Sequence, residues 1–266
     1  MKLPGLKVFL RRLAVQINRL IMAARSQPYW MSREPCLILA PHQDDETLAC
    51  GALIARQRHE GHEVHVVFLT DGGASHPGQQ TLSVDELILL RRHEARAALE
   101  VLEVDSACVQ FWNIPDGTLN ALPAADRAAL IARLAVLLNS IKPGRLFVPC
   151  SPDGSSEHDP VLGFAQDALV KAGPQPEIWQ YPVWCWWNPV LLLTKILRQD
   201  GIYRLAGEDY HTLKQRALRF YHSQVESVTP AASVPLPPEL KEFCLLDPEY
   251  FFLTKPGRPG PPATNR

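Results

Sequence analysis

The stretch "LILAPHQDDETLACGALIA" runs from Leu37 to Ala55. An apolar run, Cys36–Ala40, meets Pro41 and reads as a short buried strand. It is followed by one histidine, His42, and three consecutive acids, Asp44, Asp45 and Glu46. A small-residue segment, Glu46–Glu60, then carries helical character. Buried strands rarely deliver an imidazole and three carboxylates at their mouth. Either the acids favour the start of the helix electrostatically, or they hold a metal.

Working outward, further strand-like runs are Val64–Thr70, Cys108–Asn113 and Leu146–Pro149, rich in Val, Ile, Leu and Phe. Helical patterns lie between them at Val84–Leu102 and Ala124–Ile141, the latter stopped by "IKPG". Strand alternating with helix at this spacing predicts an α/β fold: a Rossmann-like, mostly parallel sheet with helices on both faces. A fifth strand is expected in the aromatic-dense "PEIWQYPVWCWWNP", and a helix in "EDYHTLKQRALRFYHSQ". With strand order 3-2-1-4-5, the first and fourth strands are neighbours at the point where the order reverses, and ligands bind outside their carboxyl ends. The loops there are "PHQDDE" and "CSPDGSSEHDP". No GxGxxG follows the first strand, which disfavours a dinucleotide site.

The whole chain sets bounds on function. Its 266 residues suit one α/β domain, and a formal net charge of -1 excludes a general nucleic-acid binder, which needs a basic excess. Six cysteines without CxxC pairing read as reduced and structural, implying a cytosolic compartment. Before the first acid, Glu34, the chain carries seven basic residues. Phe9, Leu13, Ile17, Leu20 and Ala24 recur at helical spacing. Residues 5–24 therefore form a basic amphipathic helix with two readings: peripheral contact with an anionic membrane at its inner face, or packing on the domain or a partner subunit. Prolines cluster in "TPAASVPLPPEL" and "KPGRPGPPATNR", expected as extended loop and disordered tail. The expected organisation is a helix and linker over 1–34, a domain over 35–228, and a Pro-rich extension over 229–266.

His42, Asp45 and His158 make a chemically coherent set. Two imidazoles and a carboxylate around zinc leave a fourth position open, as hydrolytic sites do. Asp44 then faces the reacting water as a free carboxylate that can take its proton, while Glu46 favours the helix dipole. Helix capping remains the alternative at this point.

The stretch "ILAPHQDDETLACGALIARQRHEGHEVHVVFLTDG" resembles the opening of the LmbE-like (PIG-L) family of zinc-dependent N-deacetylases. Further matches follow in the family's order: "LRRHEARAALEVLEV", "NIPDGTL", "SSEHD" and "FYHSQ", covering about Pro35 to Gln224. The resemblance implies the family's deacetylase fold, Zn²⁺ or another divalent transition metal on His42, Asp45 and His158, and Asp44 as general base. It implies contact with substrate for Arg91 and Asp116. From the residues alone, Arg91 is equally a solvated partner of Glu94, and Asp116 a turn residue. The implied reaction removes an acetyl group from an N-acetylated amino sugar in a glycoconjugate. Two departures stand out. Gln43 replaces the usual proline, and Ser155 stands where the family places an oxyanion-stabilising histidine. Ser155 keeps a hydrogen-bond donor and loses an imidazolium charge, which leaves a non-catalytic sugar-binding or scaffold protein as the rival. Among the aromatics of the fifth strand and its loop, Trp179, Tyr181, Trp184, Trp186 and Trp187 serve either sugar stacking or core packing.

Overall fold

Five parallel strands form the part of the sheet that carries the site. They are β2 (Cys36–Ala40), β3 (Val64–Thr70), β4 (Val109–Ile114), β5 (Arg145–Pro149) and β6 (Glu177–Tyr181). They lie in the order β4-β3-β2-β5-β6, so the first and fourth expected strands are neighbours at the reversal of winding. The computed structural model describes residues 4–76, 82–173, 176–199, 201–226 and 235–254. The expected tail "KPGRPGPPATNR" and the first half of "TPAASVPLPPEL" lie outside the described residues.

The strands sort their side chains by the two-residue period of extended chain. Cys36, Ile38 and Ala40 of β2, Val64, Val66 and Phe68 of β3, and Phe147 of β5 enter one buried cluster. Leu37, Leu39, Val67, Leu69, Leu146 and Val148 enter the other. The first face is covered by α2 (Asp45–His59), α3 (Val84–Val101) and α7 (Glu208–Leu218). The second is covered by α4 (Ala124–Ile141) and α5 (Val161–Lys171). Burial on both faces explains why these strands are continuous apolar runs.

Beyond β6 the sheet departs from expectation. An antiparallel strand, β8 (Glu249–Leu253), pairs with β6 and with β7 (Ile202–Leu205). At the edge, β1 (Gln27–Pro28) pairs parallel to β7. Segments expected as N-terminal linker and C-terminal extension thus contribute strands to the same sheet. Nor is the end of "TPAASVPLPPEL" an extended loop: Pro238 opens a short helix, Pro238–Cys244, where its missing N–H and fixed φ cost nothing.

The C-terminal strand is tied to the helix after the HQDDE loop. Glu249 accepts from the backbone N–H groups of Ala52 and Leu53 at 2.9 Å each, and from Lys214 Nζ at 2.8 Å, all buried. Gly51 is required here, since a Cβ would stand 2.7 Å from Lys214 Cγ.

The basic helix α1 (Pro4–Arg25) lies along α6 (Pro189–Arg198). It packs on the domain through Val15, Asn18 and Met22, while the apolar stripe Phe9, Leu13, Ile17 and Leu20 faces outward. The six cysteines are free, and five of them are buried.

Candidate active site

The HQDDE loop leaves β2 at its carboxyl end and enters α2 without using its acids as caps. Asp44 occupies the N-cap position, yet its side chain makes no capping hydrogen bond. Asp45 Oδ2 turns back to accept from the His42 backbone N–H at 2.9 Å. Glu46 Oε2 accepts from the Asp44 backbone N–H at 3.2 Å. The backbone at Asp44 has φ 148°, a strained conformation for an L residue. Several groups hold it there. Arg91 donates to the Gln43 carbonyl at 3.0 Å and the Gly72 carbonyl at 3.1 Å, and the Gln43 side chain donates to the Thr70 carbonyl at 2.8 Å. Gly72, at φ +74°, has no room for a Cβ, which would meet Gln43 Oε1 and Arg91 Nη1.

From the neighbouring strand β5, the loop "CSPDGSSEHDP" brings His158 to the same point. Asp45 Oδ2 lies 3.3 Å from His42 Nδ1 and 3.2 Å from His158 Nε2. The donor atoms of His42, Asp45 and His158 all fall within 4.8 Å of one another. Ligands ~2.0–2.1 Å from a tetrahedral zinc stand ~3.3–3.4 Å apart, so the spacing fits such an ion. The buried Nε2 of His158 has no hydrogen-bond partner, which the same ion would satisfy.

Each histidine is backed by a carboxylate. His158 Nδ1 donates to Asp153 Oδ2 at 2.8 Å, and His42 Nε2 to Asp116 Oδ1 at 3.1 Å. Such pairs fix ring orientation and raise ligand basicity. Asp153 is fully buried and also accepts from the backbone N–H groups of Val183, Trp184 and Cys185. Asp153→Ala is expected to weaken metal affinity by about 10–100-fold, measured by competition with a chromogenic chelator, with unchanged affinity as the opposing result.

Burial and charge set the protonation pattern. Burial, helped by the charge of Asp45, pushes the Asp44 carboxyl up to about 7, against the pull of Arg91 3.8 Å away. For Asp45, burial acts upward, but His158 and His42 outweigh it and hold the carboxyl well below the usual range. His42 is lifted to about 9: burial opposes its charge, and the bonds to Asp116 and Asp45 overcome that.

His42, Asp44, Asp45 and Arg91 line a cavity of about 280 Å³ together with Ser155, Glu157, Trp184 and Gln224, with the fully buried His158 behind its wall. That is near the lower edge of the ~300–1,000 Å³ usual for small-molecule sites. A larger, more open depression of about 660 Å³ lies at the amino ends of the strands, around Arg145 and Glu177, away from this chemistry. The Ser155 Oγ accepts from the Glu157 N–H at 3.3 Å, which leaves the hydroxyl hydrogen free to donate. Glu157 Oε1 accepts from the Leu119 N–H, while its buried Oε2 has no partner.

Arg91 and Asp116 both reach the cavity. Arg91 is buried, and no ion pair joins it to Glu94. Glu94 instead accepts from the backbone N–H and hydroxyl of Ser223, joining the "LRRHEARA" and "FYHSQ" stretches. Tyr221 of the latter donates to Glu46, as does Thr47. Glu46 is thus a buried anchor of the loop rather than a surface charge on a dipole. Of the aromatic group only Trp184 lines the cavity. Trp179 and Tyr181 are core, Trp186 is buried, and Trp187 stacks beneath Arg11. In "TDGGASHPG" the His76 Nε2 is buried without a partner, and Pro77 and Gly78 lie outside the described residues. Asp153, Tyr221 and Ser223 were missed in the sequence. Only Asp153 carried a signal, as a third acid in the loop that holds His158.

A doubly wound sheet with an acid- and histidine-bearing cleft at its switch point is the architecture of the LmbE-like deacetylases, hydrolases of a carbon–nitrogen bond. The chain belongs to the PIG-L family, described as GlcNAc-PI de-N-acetylase, whose profile matches residues 37–169. Solved structures share the fold. N,N'-diacetylchitobiose deacetylase from Pyrococcus horikoshii, bound to an inhibitor, is 19% identical with a TM-score of 0.56, covering 91% of this chain and 83% of that one. The zinc-inhibited form of teicoplanin deacetylase Orf2 is 18% identical with a TM-score of 0.58, covering 82% of this chain and 97% of that one. GalB, the 4-carboxy-2-hydroxymuconate hydratase from Pseudomonas putida KT2440, is 19% identical with a TM-score of 0.59, covering 79% and 82%. At these identities the likeness concerns the fold alone. No curated protein matches the chain in sequence.

Proposed function

We propose that the chain hydrolyses the N-acetyl group of an N-acetylated amino sugar carried on a glycoconjugate, using a zinc ion or another divalent transition metal held by His42, Asp45 and His158. The observation that carries this reading is the convergence of those three donors beside Asp44, a carboxylate that caps nothing. When bound, the metal supplies a Lewis acid next to the acetamide carbonyl. Asp44 accepts a proton from the water that attacks the carbonyl carbon. It returns that proton to the amine nitrogen as the carbon–nitrogen bond breaks, giving acetate and a free amino sugar. Ser155 donates its hydroxyl hydrogen to the oxyanion, and Asp116 holds the His42 ring. Arg91 keeps the Asp44 backbone in its strained turn. The chitobiose and teicoplanin deacetylases among the structural relatives support an acetylated sugar as the substrate class.

The test pairs metal analysis with acetate release from N-acetylglucosamine conjugates. One equivalent of zinc and acetate from the parent protein are expected, with both lost in His158→Ala. Full metal content in His158→Ala would remove that residue from the site.

A further inference from the structure

Helix α1 is docked on the domain back to front. Its inner side is held by buried Val15 and Met22 and by polar ties to the chain. Asn18 Nδ2 donates to the Pro189 carbonyl at 2.7 Å, Arg25 to the Ile196 carbonyl at 2.8 Å, and Arg19 to the Asp247 carbonyl. Its outer side carries Leu6, Phe9, Leu10, Leu13, Ile17 and Leu20, each between 47% and 71% exposed. Leu6, Leu10, Leu13, Ile17 and Leu20 follow one another at alternating steps of four and three, which keeps them on one face. On the adjoining α6, Val190 and Leu197, one heptad apart, are exposed too. Scattered surface apolar residues are ordinary, but a contiguous stripe along a 22-residue helix, about 33 Å long, marks an interaction surface.

We propose that this outer face is a bilayer-docking surface that lies in the headgroup region of an anionic membrane. Charge selects the occupant. Between Pro4 and Arg25 the helix has five basic residues and no acid. Lys7 is exposed on one flank of the stripe and Arg12 on the other, so their heads reach lipid phosphates while aliphatic groups enter the acyl boundary. Arg12 meets Glu242 at 2.6 Å in a half-exposed pair, a contact of little energetic weight that phosphate can replace. A second copy of the chain suits the face poorly. Its α1 would bring only further cations against these cations, with no carboxylate on either helix. Nor does the helix span a bilayer: among the described residues no helix is long and apolar enough to do so.

Docking also places the cavity. Arg11 stacks on Trp187 at 3.6 Å, three residues beyond the cavity-lining Trp184. Leu191 of α6 packs against Gly154, next to Ser155. The N-terminal half of the helix is therefore docked against the turn that also supplies Trp184 to the cavity.

Full-length protein is sedimented with vesicles of phosphatidylcholine alone and with vesicles containing equal parts phosphatidylglycerol. Binding to the anionic vesicles is expected, weakened by salt. The variant carrying Leu13→Glu and Ile17→Glu is expected to lose about a hundredfold in partition, since two buried side chains become charged. Neither residue touches the cavity, so metal content and acetate release from a soluble substrate should be unchanged and serve as the folding control. Absence of vesicle binding by the parent protein would overturn the proposal, as would equal binding by the folded variant. So would a dimer in lipid-free buffer that the same variant dissociates, because a second copy would then own the face. Vesicle binding is readable whatever the catalytic assay shows, so the two proposals fail separately.

Discussion

Asp44→Asn is expected to lower kcat for acetate release by about 10²–10⁴-fold while leaving metal content intact. The substitution keeps shape and removes only the basic oxygen. The turn at φ 148° is held by Arg91 on the Gln43 carbonyl and by the Gln43 side chain on Thr70, bonds that the substitution leaves in place. The proposed metal ligands are untouched, because Asp45 reaches both histidines through its own Oδ2. Steady-state kinetics beside metal analysis separates the outcomes. A loss of less than about tenfold with full metal would assign the proton transfer to another group.

The second large effect is expected at Ser155. Ser155→Ala removes the only hydroxyl-bearing side chain placed by this loop in the cavity and should lower kcat by about 10²–10³-fold, with little change in KM. An unchanged kcat would transfer the oxyanion role to the metal alone. The companion variant Ser155→His decides between enzyme and binding protein. A silent parent protein that gains acetate release in Ser155→His would identify a sugar-binding protein on a disabled deacetylase site.

Much of the site was legible because parallel α/β sheets concentrate chemistry in the loops after their strands. β2, β3 and β5 are buried on both faces and stand out as apolar runs. Once their order is set, the loops bearing His42, Asp45 and His158 must meet. The residues behind them were not legible. Asp153 gains meaning only when three backbone N–H groups from the distant 183–185 turn close around it. Tyr221 likewise acquires a role only by reaching Glu46, which sequence spacing cannot announce. Glu46 looked like a dipole charge because helix position is local information, whereas its burial is tertiary.

The fold was obscured where the sheet stops being parallel. β8 arrives from the far end of the chain and inserts between β6 and β7, a pairing with no local periodicity to reveal it. β1 is two residues long, too short for any pattern. For α1 the helix was evident from its spacing, but the side turned toward the domain was not. The stripe that would ordinarily be buried faces outward, and a mixed side with Asn18 and Arg19 is packed instead.

The most direct test of metal-dependent deacetylation is acetate release from an N-acetylglucosamine conjugate by chelator-stripped protein, before and after one equivalent of zinc is returned. Stripped protein should be silent and reconstituted protein active, with His158→Ala silent in both states. Stripped protein that is verified free of metal and still releases acetate at the parent rate would contradict the account.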